Sequence, residues 1–270
     1  MSTPSDPYFI TPLTSNPNYP LLIFLPGMDE TAADLIKIQT VGLEAAFDVR
    51  CFVIPADDLT SWDHLVDNVI ALTQAELEKS PRSSVYLCGE SFGGCIALLV
   101  LLKFPQLFDR VIVINSASSF HRVPWLNLGS MLFPLTPNFF YKISSFIAVP
   151  FLAHLNQLTF TDRQALLEGV SSAPKKTAEQ RLSLLRDFTI DEQKLSQVTQ
   201  PVLLIGSRGD RLLPSEAEVK RLARIFPHAQ VVILPHSGHA CLVEEDVNLY
   251  QILLAESFLI EPTDQVSVSR

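Results

Sequence analysis

Glycine is scarce, ten in 270 residues. That excludes a collagen-like or linker-like chain, and it makes each glycine a candidate for a place where backbone geometry demands one. Cysteine is scarcer still. Cys51, Cys88, Cys95 and Cys241 show no C-x-x-C spacing, so a disulfide scaffold is improbable and buried, reduced thiols are expected. Basic residues are in the minority, 20 against 29 acidic. This argues against nucleic acid as a partner, because phosphate contacts need clustered Lys and Arg. No apolar run approaches the roughly 18 residues that span a bilayer; the longest unbroken one, residues 95–102, has eight. The first twenty residues hold five prolines and no basic cluster, unlike a signal peptide. A soluble, cytoplasmic protein is expected.

Apolar residues are plentiful, 47% of the chain against 18% charged, with mean hydropathy +0.25. A chain of this length and composition can bury a large core. Short runs rich in Val, Ile and Leu recur at 21–26, 49–55, 85–89, 111–115, 201–206 and 231–235, each ending at Pro, Gly or Asn. Continuous apolar runs fit strands buried on both faces of a parallel sheet. Helical patterns over 31–47, 61–79, 92–104, 215–226 and 244–259 alternate with them. The expectation is an α/β fold, a mostly parallel sheet with flanking helices. The stretch 116–199 is too long for one crossover and predicts an inserted helical cap. The core would then comprise 20–115 and 200–260, with poorly ordered ends at 1–19 and 261–270.

One motif carries chemistry. Cys88-Gly89-Glu90-Ser91-Phe92-Gly93-Gly94 follows a predicted strand and opens a predicted helix. It matches G-x-S-x-G, the strand-to-helix turn that lifts a serine hydroxyl clear of a sheet above a helix N-terminus. Ten glycines and 24 serines in 270 residues give about 0.03 chance matches per chain to the bare pattern. Seven of the ten glycines (27, 89, 93, 94, 206, 209 and 238) fall in the four loops proposed to form the site.

On this motif and its setting the chain resembles an α/β-hydrolase over about residues 21–259. FLPGMDETAADL, GESFGGCIAL and NSASSF are further similar to the hydrolase half of plant plastid phytyl ester synthases, which are esterase/lipase/thioesterase-type acyltransferases. The resemblance implies an α/β-hydrolase fold and a nucleophile, acid and base in the chain order Ser, Asp or Glu, His. Ser91 is then the nucleophile. His239, in Ser237-Gly238-His239-Ala240, matches the family's Gly-His pattern and is the expected base, with His236 in reserve. Asp210, after the strand that ends at Gly206, is the expected acid, with Asp187 and Asp191 as fallbacks. His64, His121, His154 and His228 read as ordinary helix, cap or turn residues. The backbone N–H groups of Phe92 and Met28 would form the oxyanion hole, and their side chains would wall an acyl pocket. Many relatives have His-Gly where this chain has Pro26-Gly27.

Residues 123–161 carry a single formal charge, Lys142, and eight of the 24 aromatics. Prolines at 124, 134, 137 and 150 break the stretch into short helices. Trp125, Phe133, Phe139, Phe140 and Phe146 are the candidates for lining a pocket for a hydrophobic acyl or prenyl chain, or for touching a membrane surface. From Arg163 on, Lys175, Lys176, Arg181 and Arg186 read as a solvated face. The expected activity is hydrolysis of esters or thioesters of hydrophobic substrates, with no metal and no cofactor. Acyl transfer to an alcohol such as phytol or diacylglycerol, and ligand binding without catalysis, stand as alternatives. Dehalogenase and epoxide hydrolase chemistry fit poorly, because those relatives carry Asp where this chain has Ser91.

Overall fold

The computed structural model describes residues 6–28, 33–137, 141 and 151–260. Its centre is a seven-stranded sheet: β1 (Tyr8–Ile10), β2 (Leu21–Leu25), β3 (Asp48–Val53), β4 (Val85–Glu90), β5 (Arg110–Ile114), β6 (Val202–Ser207) and β7 (Ala229–Leu234). The spatial order is β1-β3-β2-β4-β5-β6-β7. Only the β1–β3 pair is antiparallel among the seven. Strand β2, LLIFL, explains the unbroken apolar runs. All five residues are fully buried, and they alternate between two cores. Leu21, Ile23 and Leu25 join the cluster under α2 (Trp62–Lys79) and α3 (Phe92–Lys103). Leu22 and Phe24 join the opposite cluster with Cys241, Leu249 and Leu253. A sheet covered on both faces has no polar side to show.

Helices α2 and α3 follow their patterns to within a residue, and the other three are shorter than predicted. The stretch 31–47 yields α1 (Ala33–Gln39) and a separate 3-10 turn at Leu43–Ala45, parted at Gly42, whose φ is +84°. Ser61, the first residue of the 61–79 pattern, caps α2, its hydroxyl accepting from His64 N. The stretch 244–259 reduces to α9 (Leu249–Ala255), started by Asn248, whose side chain accepts from Gln251 N at 3.0 Å. One expectation fails at the N-terminus. Residues 8–10 lie within the segment read as poorly ordered, yet they pair Tyr8, Phe9 and Ile10 with Val53, Phe52 and Cys51. Three strand-forming side chains in a row supply an edge, and Phe9 meets Phe52 edge-on at 6.0 Å.

Between β5 and β6 lie a 3-10 turn (Ala117–Arg122), α4 (Pro124–Leu132), α5 (Phe160–Ser171), α6 (Lys175–Arg186) and the short α7 (Glu192–Leu195); α8 (Ser215–Leu222) follows β6. Arg181 departs from the expected solvated face: it is buried, with Nη2 donating to the Pro55 carbonyl at 3.0 Å. Among the described residues, no helix is long and apolar enough to cross a membrane.

Candidate active site

Strand β4 ends at Glu90 and α3 starts at Phe92, so Ser91 alone makes the turn. Its φ of 52° and ψ of −111° lie where L-residues are strained by about 1–3 kcal/mol. Surrounding hydrogen bonds hold it there. Ser91 N donates to Ile114 O at 2.9 Å, and Ser91 O accepts from Ala117 N at 3.0 Å. Two glycines make the turn possible. A Cβ on Gly89 would stand 2.4 Å from Gly93 O, and one on Gly93 would stand 2.0 Å from Leu25 O. Gly93 N donates to Pro26 O at 3.1 Å, fastening the loop that holds Met28 to this turn.

The loops after β6 and β7 bring the other two side chains. His239 is buried; its Nε2 lies 2.7 Å from Ser91 Oγ and its Nδ1 lies 2.7 Å from Asp210 Oδ2. Asp210 has its own fixed partners. Oδ1 accepts from Leu212 N at 2.8 Å and Leu213 N at 2.9 Å, and Oδ2 also accepts from the Ser215 hydroxyl. Burial pushes this carboxyl up, but the His239 charge and hydrogen bond, with those from Leu213 and Ser215, more than offset it and hold the group below the ordinary aspartate value. The result is a chain of carboxylate, imidazole and hydroxyl at the C-terminal edge of a parallel sheet, where open α/β sheets place ligands. It can deprotonate the hydroxyl and stabilise the imidazolium that results.

A family model described as alpha/beta hydrolase fold matches residues 51–246. The chain belongs to the α/β-hydrolase fold family. Phytyl ester synthase 1, chloroplastic, of Arabidopsis thaliana is 31% identical over 87% of this α/β-hydrolase, which spans only 36% of that relative's length. Pimeloyl-[acyl-carrier protein] methyl ester esterase of Nitrosomonas europaea is 28% identical over 67% of the chain and 73% of its own. Among solved structures, a hydrolase from Oleispira antarctica superposes with a TM-score of 0.72 at 15% identity, covering 93% of each chain; at that identity it speaks for the fold alone.

Several residues of this hydrolase escape sequence reasoning. Asn115, buried and at φ 42°, staples the base loop: Nδ2 donates to His239 O at 2.7 Å and to Ser207 Oγ at 2.9 Å, while Oδ1 accepts from Ser207 N at 2.7 Å. Its position at the end of β5, in Ile-Asn-Ser, was the available signal, since Asn tolerates this backbone region. Phe92 corrects an expectation. Its ring is 1% exposed and stacks on Trp62 at 4.5 Å. Trp62 also meets Phe188 at 5.6 Å and donates from Nε1 to Leu184 O. The Phe92 ring therefore braces the turn and does not wall a pocket. Met28 is half-buried against the same cluster.

His236 is exposed, Asp187 is exposed and pairs with Arg186, and Asp191 caps α7. His154 is less ordinary than expected, lying half-buried against the loop of Gly209. Trp125 stands 57% exposed on α4, which suits an outer face and not an enclosed acyl wall. Phe133 meets Tyr141 edge-on at 5.7 Å, with Lys175 Nζ 6.0 Å from its ring centre. Phe139, Phe140 and Phe146 lie outside the described residues. Among the described residues, no group of three or more His, Cys, Asp or Glu side chains could hold a metal ion.

Proposed function

We propose that this α/β-hydrolase is a serine hydrolase that cleaves carboxylic esters or thioesters of hydrophobic substrates through an acyl-enzyme. The observation that carries the reading is the pair of 2.7 Å contacts linking Asp210, His239 and Ser91. Ser91 Oγ attacks the substrate carbonyl while His239 Nε2 takes its proton. Asp210 stabilises the imidazolium. The oxyanion is bound by the N–H groups of Phe92, at the start of α3, and of Met28, on the loop tied to Gly93. His239 then returns the proton to the leaving alcohol or thiol. Water, deprotonated by the same imidazole, releases the acid. A fluorophosphonate probe should label Ser91, and esters graded by chain length should be cleaved by the wild type and not by Ser91→Ala. A folded protein that neither labels nor hydrolyses rules the reading out in favour of a binding module. A preference for short, polar esters removes the hydrophobic substrate from it.

Acyl transfer is the second reading, favoured by the similarity to phytyl ester synthase 1. An alcohol would replace water as acceptor of the acyl group. Incubation with acyl donor plus phytol or diacylglycerol distinguishes the two by the ratio of ester to free acid.

The cap offers a surface for such substrates. Trp125, Leu128, Met131, Leu132 and Leu135 recur at helical spacing on α4 and the turn after it, and all are more than half exposed. No acidic residue occurs from 110 to 161, so nothing there repels an anionic lipid surface. Peripheral membrane contact through this face is part of the proposal, and sedimentation with phosphatidylglycerol vesicles tests it. The four buried thiols, held well above ordinary thiol values chiefly by burial, fit a reducing compartment such as the cytoplasm.

A further inference from the structure

The cap returns to the core across the two loops that carry the acid and the base. Leu152 O accepts from Ala240 N at 2.7 Å, one residue past the imidazole. A Cβ on Gly238 would stand 2.9 Å from Ala153 Cα, and one on Gly209 would stand 2.6 Å from His154 Nε2. The same His154 nitrogen lies 3.4 Å from Gly209 O, beside Asp210. Both catalytic loops are therefore flattened by glycine where this strap crosses them.

Beneath the crossing lies Glu244, 2% exposed. Its Oε1 accepts from Gly238 N at 2.9 Å and from His154 N at 3.1 Å. With the Gln157 amide turned so that its nitrogen faces these two acceptors, that nitrogen donates to Glu244 Oε2 at 3.2 Å and to His236 O at 3.2 Å. Glu245 N donates to Gln157 O at 3.0 Å and closes the ring. Every one of these partners of Glu244 is a donor, and a carboxylate is the acceptor-only form. Among the described residues, no Lys or Arg forms an ion pair with it. A buried charge held only by N–H groups is expensive, and an apolar side chain would fill the space at lower cost. The ester chemistry above does not use it.

We propose that Glu244 is a positioning residue for His239, and that through it the cap strap at 152–157 sets where the base stands. The inference rests on the serine-hydrolase reading. Glu244 fixes the backbone N–H just before His239, while Asn115 fixes the carbonyl just after it. Its charge also favours the imidazolium formed as Ser91 attacks. Among the described residues, the other ionisable groups around this loop include Asp210 after β6, Glu90 at the end of β4, His154 from the strap and His236 on the loop itself. The Cys88 and Cys241 thiols, pushed up chiefly by burial, stay neutral.

The test compares the full-length wild type with Glu244→Gln on p-nitrophenyl butyrate and a fluorophosphonate probe. An inert wild type overturns the hydrolase reading and this inference together. With an active wild type, Glu244→Gln keeps the shape and an oxygen for both N–H groups, and loses the charge together with the acceptor that faces the Gln157 amide. Its kcat is expected to fall about tenfold, with KM changed less than about twofold. The acid limb of kcat/KM should move down by about half a pH unit, because removing a nearby negative charge disfavours the imidazolium. A folded Glu244→Gln with wild-type kcat and an unmoved acid limb overturns the inference and leaves the hydrolase reading standing. A lowered thermal midpoint with an unmoved pH profile marks a mere structural anchor and also overturns it. Gln157→Ala, which cuts the strap's side-chain contact, should lower kcat about threefold without moving the limb. If Glu244→Gln does not fold, wild-type kcat in Gln157→Ala overturns the inference.

Discussion

The carboxylates of Asp48 and Asp210 are both buried, at opposite ends of the sheet. Asp48 opens β3, where Arg50 Nη1 lies 2.7 Å and Arg82 Nη2 lies 2.6 Å from its carboxylate, and Glu76 takes Arg50 Nε at 2.7 Å. Asp210 follows β6, and among the described residues no arginine pairs with it; its donors are two backbone N–H groups, a hydroxyl and an imidazole. Burial pushes both carboxyls up, and in both the partners win and hold them below the ordinary value. The partners differ in what they leave undone. A guanidinium is permanently charged and satisfies its carboxylate at rest. Asp210 is held in place by backbone and hydroxyl donors, and the one group whose charge it answers is the His239 imidazole, so in the proposed reaction its charge is directed at the imidazolium.

The largest expected effect lies at the reactive end. Ser91→Ala should lower ester hydrolysis by about 10⁴-fold or more with an unchanged fold, measured by steady-state kinetics and circular dichroism. Asp210→Asn should follow, with kcat down about 10³–10⁴-fold and little change in urea midpoint. At the opposite end the pattern should invert. Asp48→Ala removes the carboxylate that pairs with buried Arg82 and leaves Arg50 with Glu76 alone, and should lose about 3–5 kcal/mol of stability in urea denaturation while the folded fraction keeps its specific activity. If Asp48→Ala lost activity in the folded fraction, the two ends would not be separable.

Smaller effects sharpen the contrast. Asn115→Ala removes a donor to His239 O and should cost about 1–3 kcal/mol, with kcat falling more than KM rises. Acid titration of stability is the mildest test. Both aspartates have folded values below the ordinary 3.8. Their stabilisation is therefore complete above about pH 4 and is lost as pH falls through the folded values. Asp48→Asn should flatten the fall in thermal midpoint between about pH 4 and pH 2.

Much of this was legible in the chain. Runs such as LLIFL announce strands covered on both faces, because no polar alternation survives there. Gly89 and Gly93 flank Ser91 because backbone comes within 2.4 Å of any Cβ at either position, and sequence spacing records that demand. His239 and Asp210 follow once the motif is recognised. Long-range partners were not legible. Glu244 looks like one of three successive acidic residues on a solvated helix start, yet it turns inward because two N–H groups await it. Trp62 looks like the apolar first residue of α2, and only folding brings it over Phe92 from a distance of thirty residues. Tyr8–Ile10 is too short to outweigh the prolines around it, and its strand character comes from the β3 edge it completes.

The close approach at Gly93 has an evolutionary consequence. Because α3 rests on the main chain of residues 25 and 26 and not on side chains, the spacing between the reactive hydroxyl and the facing loop is insulated from most point substitutions. Descendants of such a scaffold are free to rebuild what surrounds the substrate, and so to change which substrate they accept, while the separation needed for bond making is inherited intact.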